Sequence, residues 1–172
     1  MQDTLQKSLT LWDGKDTASL ESLFLEFHEG PDFLPGLIAL GNDRKFHRGV
    51  TWLLKHHFDR KGPALQPDLA RSHILQFEAI DDWQARLHVL QYLEHLDLPE
   101  DSENVVSDFV ESSLRSDRTF VRAWAWHGLA VLAERFSLRR DETIKQLTEA
   151  QARETAGSVK VRIRRAIAKL QS

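Results

Sequence analysis

An arginine recurs at nearly even spacing through the chain, and this spacing constrains what the chain can fold into. Successive members of the series are 38, 36 and 40 residues apart, at Arg48, Arg86, Arg122 and Arg162. A period of roughly 20–50 residues is typical of arrays in which each repeat is one supersecondary unit. A single helical hairpin cannot cover its own apolar face, so neighbouring copies have to bury each other. The spacing therefore predicts stacked helical hairpins.

Hydrophobic periodicity predicts the helices that such hairpins need. Between Leu20 and Phe27, apolar residues fall at i, i+3, i+4 and i+7, which is the spacing of one helix face. No run of alternating β-branched residues indicates a strand. We therefore predict an all-α chain, with helices over 3–12, 17–29, 32–41, 44–58, 68–80, 82–97, 102–115, 118–136, 140–155 and 158–171.

An aspartate precedes three of the repeated arginines by five positions. These residues are Asp43, Asp81 and Asp117, and Gly157 stands at the fourth position. An aspartate directly before a helix accepts hydrogen bonds from free N–H groups and interacts favourably with the positive end of the helix dipole. We predict that these aspartates cap the second helix of each repeat. The arginine one turn later is predicted to pair with the aspartate of its own or the adjacent repeat.

With this repeat pattern, the sequence resembles HEAT repeats. The strings DRTFVRAWAWHGLAVLAER (117–135) and SVKVRIRRAIAKL (158–170) look like the second helix of that family, with its Val-Arg step at 121–122 and 161–162. The resemblance implies a right-handed α-α superhelix of helical hairpins. It implies about four repeats over 31–172 and a degenerate N-terminal helix pair over 1–30. We expect one domain over 1–172.

Composition excludes several classes of function. The chain has no cysteine, which removes disulfides, thiolate catalysis and Cys-ligated zinc or iron–sulfur sites. Its net charge of −3 provides no global positive field for nucleic acid. No GxGxxG, Walker or GxSxG motif occurs, and no two histidines have the i, i+3 or i+4 spacing of a metal site on one helix. We predict no cofactor and no catalytic centre, while a metal site assembled from different helices stays open.

The N-terminal residues lack the apolar core of a secretory signal. No stretch approaches the roughly 18 apolar residues that a membrane helix needs. We therefore expect a soluble cytoplasmic protein.

Two of the repeated arginines precede a tryptophan by four positions. The pairs are Arg48 with Trp52 and Arg122 with Trp126, and this spacing places each pair on one helix face. With Arg86, these residues are candidate anchors for a partner, because arginine and tryptophan are enriched at binding hot spots. In the alternative interpretation, the arginines hold the repeats in register and the tryptophans pack between them.

The last predicted helix carries a cluster of basic residues and no acidic residue. Such a cluster is a candidate phosphate or anion site, although charge runs are usually solvated faces. Its members are Lys160, Arg162, Arg164, Arg165 and Lys169.

Three functions are consistent with these residues. The first is a scaffold or adaptor that binds another protein on its second-helix, concave surface. The second is a HEAT-like alkyl-DNA glycosylase or other DNA repair protein, a class that uses Trp, Asp and Arg side chains in a concave cleft. The third is a HEAT-type lyase or maturation factor for a cofactor-bearing protein. The sequence favours the first function, because no catalytic signature is present, and it leaves the partner and the oligomeric state open.

Overall fold

The computed structural model describes residues 2–172, except for the side chains of Gln2 and Leu138. All regular secondary structure in this part of the chain is helical, which confirms the all-α prediction. The helices follow the predicted order. They are α1 (Gln2–Leu11), α2 (Thr17–Phe27), α3 (Phe33–Leu40), α4 (His47–Asp59), α5 (Pro67–Leu75), α6 (Trp83–Tyr92), α7 (Glu103–Leu114), α8 (Thr119–Arg135), α9 (Arg140–Arg153) and α10 (Gly157–Gln171).

Local sequence explains where several helices begin. The side chain of Asp16 accepts hydrogen bonds from the backbone N–H groups of Ala18 and Ser19, and so caps α2. Pro67 occupies the first turn of α5. A backbone N–H group at this position would have no acceptor within the helix, so the proline removes no hydrogen bond. These starts depend on short-range chemistry, which a sequence displays directly.

Three predicted helices include a short 3-10 turn that the structure separates from the α-helix. The turns are Arg44–Phe46, Phe77–Ala79 and Leu93–His95. Each turn places one apolar side chain in the core, namely Phe46, Phe77 and Leu93. The apolar period therefore continues through the turn while the backbone hydrogen bonding changes, which is why the sequence predicts longer helices.

The chain forms two compact units, the first ending at Asp97 and the second spanning Leu98–Ser172. In the first unit, α4 packs against α2, α3 and α6. The side chains that α4 contributes to the core are fully buried, and Leu53 and Leu54 have no exposed surface. The core of this unit therefore forms around the second helix of the first predicted repeat.

In the second unit, α8 packs against α7, α9 and α10. Buried residues lie on every side of α8, as expected for a helix with neighbours all round. One side of α8 is lined by three alanines, whose small side chains allow the neighbouring helices to approach closely. The cluster on this side consists of Ala123, Ala130, Ala133, Leu147, Val159, Ile163, Ala166 and Leu170; it is called the alanine cluster below.

The helix pairs α3–α4, α5–α6, α7–α8 and α9–α10 follow the order that the repeats predict, and each repeated arginine lies on the second helix of its pair. The right-handed superhelix and the single domain over 1–172 stay predictions, as does the degenerate pair over 1–30. None of the described helices is both long and apolar enough to cross a membrane.

A buried polar network connects three helices of the first unit. Gln76 donates from Nε2 to the carbonyl oxygen of Ile38 at 2.7 Å, so its Oε1 is left as the acceptor. His73 Nδ1 lies 3.1 Å from that Oε1 and therefore carries the proton. The other ring nitrogen, Nε2, then accepts from the Tyr92 hydroxyl at 2.7 Å. Every member of this network is satisfied only while the His73 imidazole is neutral.

The network makes the stability of the first unit depend on pH. Burial lowers the pKa of His73 to about 4, well below that of an unfolded histidine. The unfolded chain therefore binds the proton more readily than the folded one. The contribution of neutral His73 to the free energy of unfolding is fully present above about pH 6.5 and is lost as the pH falls towards 4. This one group accounts for a loss of roughly 3 kcal/mol over that range.

Replacing His73 by glutamine should reduce the pH dependence of the free energy of unfolding between about pH 6.5 and 4; burial lowers the pKa of His88 to about 4 too, so part of the dependence remains. The amide keeps a donor and an acceptor but does not titrate. Urea denaturation followed by circular dichroism at several pH values measures the slope. His95→Gln, at an exposed position of the same unit, is the matched control. Parallel curves for His73→Gln and wild type would contradict the role assigned to His73.

Candidate functional site

Arg48 is held by oxygen atoms from two other segments of the first unit. Its Nε lies 3.1 Å from Asp82 Oδ2, and Nη2 pairs with the same oxygen. Nη1 donates to the carbonyl oxygen of Gly14 at 3.2 Å. The other oxygen of Asp82 accepts from the backbone N–H groups of Gln84 and Ala85, which caps α6. Arg48 therefore connects α4 to the start of the second helix of the next pair.

The Arg48–Asp82 pair is only partly exposed, and this changes the ionisation of both groups. Burial alone would raise the pKa of Asp82, but the hydrogen bonds from Arg48 and from the backbone N–H groups outweigh it, and the pKa is lowered. The hydrogen bond to Asp82 raises the pKa of Arg48. Both groups thus stay charged across the neutral range.

The three aspartates predicted as caps differ in what their side chains contact. Asp43 accepts from the backbone N–H of Lys45 at 3.1 Å and starts the 3-10 turn before α4. Asp81 instead forms an exposed ion pair with Arg44, and Asp82 caps α6. The side chain of Asp117 is 91% exposed, while α8 begins two residues later at Thr119. Both helices start one residue later than the repeat register implies, and a cap has to adjoin its helix.

Arg86 and Arg122 each contact the connection that precedes their own helix. Arg86 Nη1 donates to the carbonyl oxygen of Ile80 at 2.9 Å, and Arg122 Nη1 donates to that of Ser116 at 2.8 Å. In both cases the acceptor lies six residues earlier. These arginines therefore fix the entry of the chain into α6 and α8, in line with the interpretation that the repeated arginine is structural.

The guanidinium–indole contact that the structure shows differs from the predicted pairs. Trp52 is half-buried and stacks on His56, with ring centroids 4.8 Å apart. In the second unit, the guanidinium carbon of Arg162 lies 3.7 Å from the ring centroid of Trp124, which joins α10 to α8. Arg48 and Arg122 direct their guanidinium groups to oxygen atoms, because a carbonyl or carboxylate is a stronger acceptor than an aromatic face.

The basic residues of α10 do not all face solvent together. Arg162 covers Trp124, and Lys169 Nζ lies 3.0 Å from Glu134 Oε2. Arg164 and Arg165 are exposed, whereas Lys160 is half-buried. The predicted anion patch therefore includes two cations that already have partners within the unit.

An open groove of about 740 Å³ lies in the second unit between α7 and α9. Trp126 is the α8 residue that lines it. The indole is half-buried, and packs on the alanine cluster. The sequence predicts Trp126 as an anchor on a surface formed by second helices. The structure places the accessible part of the indole between α7 and α9, which are the first helices of the last two pairs, because α8 is covered on several sides.

One face of α9 forms the longer wall of the groove. Its lining residues recur at i, i+4, i+7, i+8 and i+11 from Glu142 to Arg153. This stretch is about 16 Å long, which matches about five residues of extended chain. Glu142, Gln146 and Glu149 were not selected from the sequence. The only signal for these residues in the sequence is their spacing along one polar helix face. A face that is merely exposed to solvent has the same spacing, so the signal does not identify a groove.

Four glutamates and two arginines line the groove, so its lining carries net negative charge. Glu154 lies at its end and is mostly buried, with 16% of its side chain exposed. The backbone hydrogen bond from Ala156 is the main cause of its lowered pKa; the N–H of Thr155 and nearby Arg122 act in the same direction, and burial opposes them. Glu154 therefore stays ionised at neutral pH.

No family model, no curated protein and no solved structure matches the chain. Among the described residues, no group of three or more histidine, aspartate or glutamate side chains is arranged to hold a metal ion. The groove around Trp126 is the candidate site, because it combines an accessible aromatic ring with charged walls.

Replacing Arg48 by methionine should lower the free energy of unfolding by about 1–2 kcal/mol, since Asp82 then keeps a partly buried charge without its partner. Arg44→Met is the matched control, because both side chains of the Arg44–Asp81 ion pair are exposed to solvent. Urea denaturation midpoints measure both changes. Equal losses for the two variants would show that Arg48 is no more structural than a surface arginine.

Proposed function

We propose that this chain is a protein-binding module made of HEAT-like hairpins, and that the groove around Trp126 is its binding site. The observation that supports this most directly is the accessible indole between the charged walls of α7 and α9. A tryptophan that lines a groove is a typical hot-spot residue. Its packing on the alanine cluster fixes the ring before binding, so little conformational entropy is lost when a partner arrives.

The ionisation of Glu154 favours binding over acid–base catalysis by this carboxylate. A general base that operates near neutral pH generally needs a pKa close to that pH. The pKa of Glu154 is lowered instead. Its hydrogen bonds to Thr155 and Ala156 also commit one carboxylate oxygen to the turn before α10.

The net negative lining also disfavours the DNA repair alternative at this site, since phosphate groups would be repelled. A protein segment meets no such general repulsion. The proposal therefore keeps the adaptor function and moves its site from the second-helix surface to the groove between α7 and α9.

A photo-crosslinking amino acid at Gln146 should capture a specific protein from nuclease-treated lysate of the source cells. Gln146 is exposed and lines the groove, whereas Lys145 is exposed but not among the lining residues, so the same group at Lys145 is the matched control. We expect capture at position 146 only, and loss of capture when Trp126→Ala is added. Circular dichroism establishes that each variant is folded, and Trp126→Phe replaces any alanine variant that is not.

Equal capture at positions 145 and 146, or capture that persists in a folded Trp126 variant, would show that the groove is not the binding site.

A further inference from the structure

Three carboxylates on the walls of the groove remain accessible around Trp126. The side chains of Glu111 and Glu149 are 52% and 50% exposed, and Glu142 is also exposed. Glu111 belongs to α7, whereas Glu142 and Glu149 lie two turns apart on α9. An occupant of the groove would therefore meet negative charge from both walls.

The ion pairs that these glutamates make within the unit are long and solvated. Arg139 Nη1 lies 3.7 Å from Glu111 Oε1, and Arg153 Nη2 lies 4.0 Å from Glu149 Oε2. Exposed pairs at such distances contribute little to stability. An incoming cation can therefore use these carboxylates without disrupting the fold.

We propose that the groove binds an extended segment of a partner protein through an arginine side chain, an inference that rests on the proposed function. A guanidinium group stacks on the indole of Trp126 and donates to the carboxylates beside it. Arginine suits this site better than lysine, because its planar group combines stacking with directed hydrogen bonds. The second unit already contains the same stacking contact, between Arg162 and Trp124 at 3.7 Å.

The remaining groups of the groove select against other occupants. The lining has more glutamates than arginines, and Glu154 stays ionised at its end, so an acidic or phosphorylated segment is repelled. Leu114 and Ala150 give the walls apolar patches that can cover the aliphatic stem of an arginine. The length of α9 along the groove limits the contact to about five extended residues.

Selection from a random display library of peptides of about nine residues, with the purified full chain as bait, tests the proposal. Recovered peptides should be enriched in arginine over the unselected library. Binding of a recovered peptide, measured by fluorescence anisotropy, should weaken about tenfold when its arginine is replaced by citrulline, which has the same shape without the charge.

The protein variant Glu142→Gln/Glu149→Gln should cause a similar loss and should reduce the salt dependence of binding. The matched control is Glu29→Gln/Glu78→Gln, which removes two exposed carboxylates from the first unit. This control should bind as wild type does.

Peptides that bind through Trp126 but lack arginine, or that tolerate citrulline, would overturn the arginine proposal and leave the protein-binding function intact. Recovery of no peptide that depends on Trp126 would overturn it too. The cross-linking comparison of positions 146 and 145 decides the proposed function separately, since it makes no assumption about the charge of the partner.

Discussion

The second unit depends on the burial of α8. Apolar side chains surround this helix, so it is stable only with neighbours on several sides, and α7, α9 and α10 supply them. Alanines on α8 allow the close approach that this arrangement needs. The first helices of the last two pairs, α7 and α9, both pack against α8, and the space left between them is the groove at Trp126.

The same physical constraint explains what the repeated arginines do. A chain that turns into a helix leaves backbone carbonyl groups and capping aspartates near the helix start, and these need donors when they are partly buried. Arg86 and Arg122 supply donors to carbonyl oxygens six residues earlier, and Arg48 supplies them to Asp82 and Gly14. Arg86 and Arg122 therefore fix the turn before their own helices, Arg48 fixes other segments of the first unit, and Arg162 stacks on Trp124 instead.

The groove differs from these structural contacts in how its charges are used. The arginine–aspartate pair at Arg48 is partly buried and shares its oxygens with a helix cap, so it is committed to the fold. Glu111 and Glu149 of the groove are about half-exposed and make long ion pairs, so their carboxylates are accessible to solvent. Burial and bond length separate the Arg48–Asp82 pair, which is committed to the fold, from the ion pairs of Glu111 and Glu149, although the residue types are similar.

The amino-acid sequence by itself determined the number, order and approximate bounds of the helices. Apolar spacing and short-range caps such as Asp16 are local properties, so each can be read within one or two helical turns. The sequence also predicted Trp126 as an anchor, and that role stays a prediction. The cap of α6 lies one residue later than the repeat spacing implies, at Asp82, and the residue before α8, Arg118, makes no capping hydrogen bond with its side chain. The repeat spacing fixes the position of a helix pair and not the residue at which its hydrogen bonding begins.

Tertiary structure alone decided which faces meet. The hydrogen bonds from Tyr92 to His73 and from Gln76 to Ile38 join separate helices, and nothing in the spacing of these residues along the chain predicts the contacts. Likewise, the direction of Trp126 depends on which sides of α8 its neighbours cover, and the glutamates of α9 become walls only because α7 lies opposite. A helix has the same periodicity whichever neighbour it packs against, so side-chain partners were decided by packing and not by pattern.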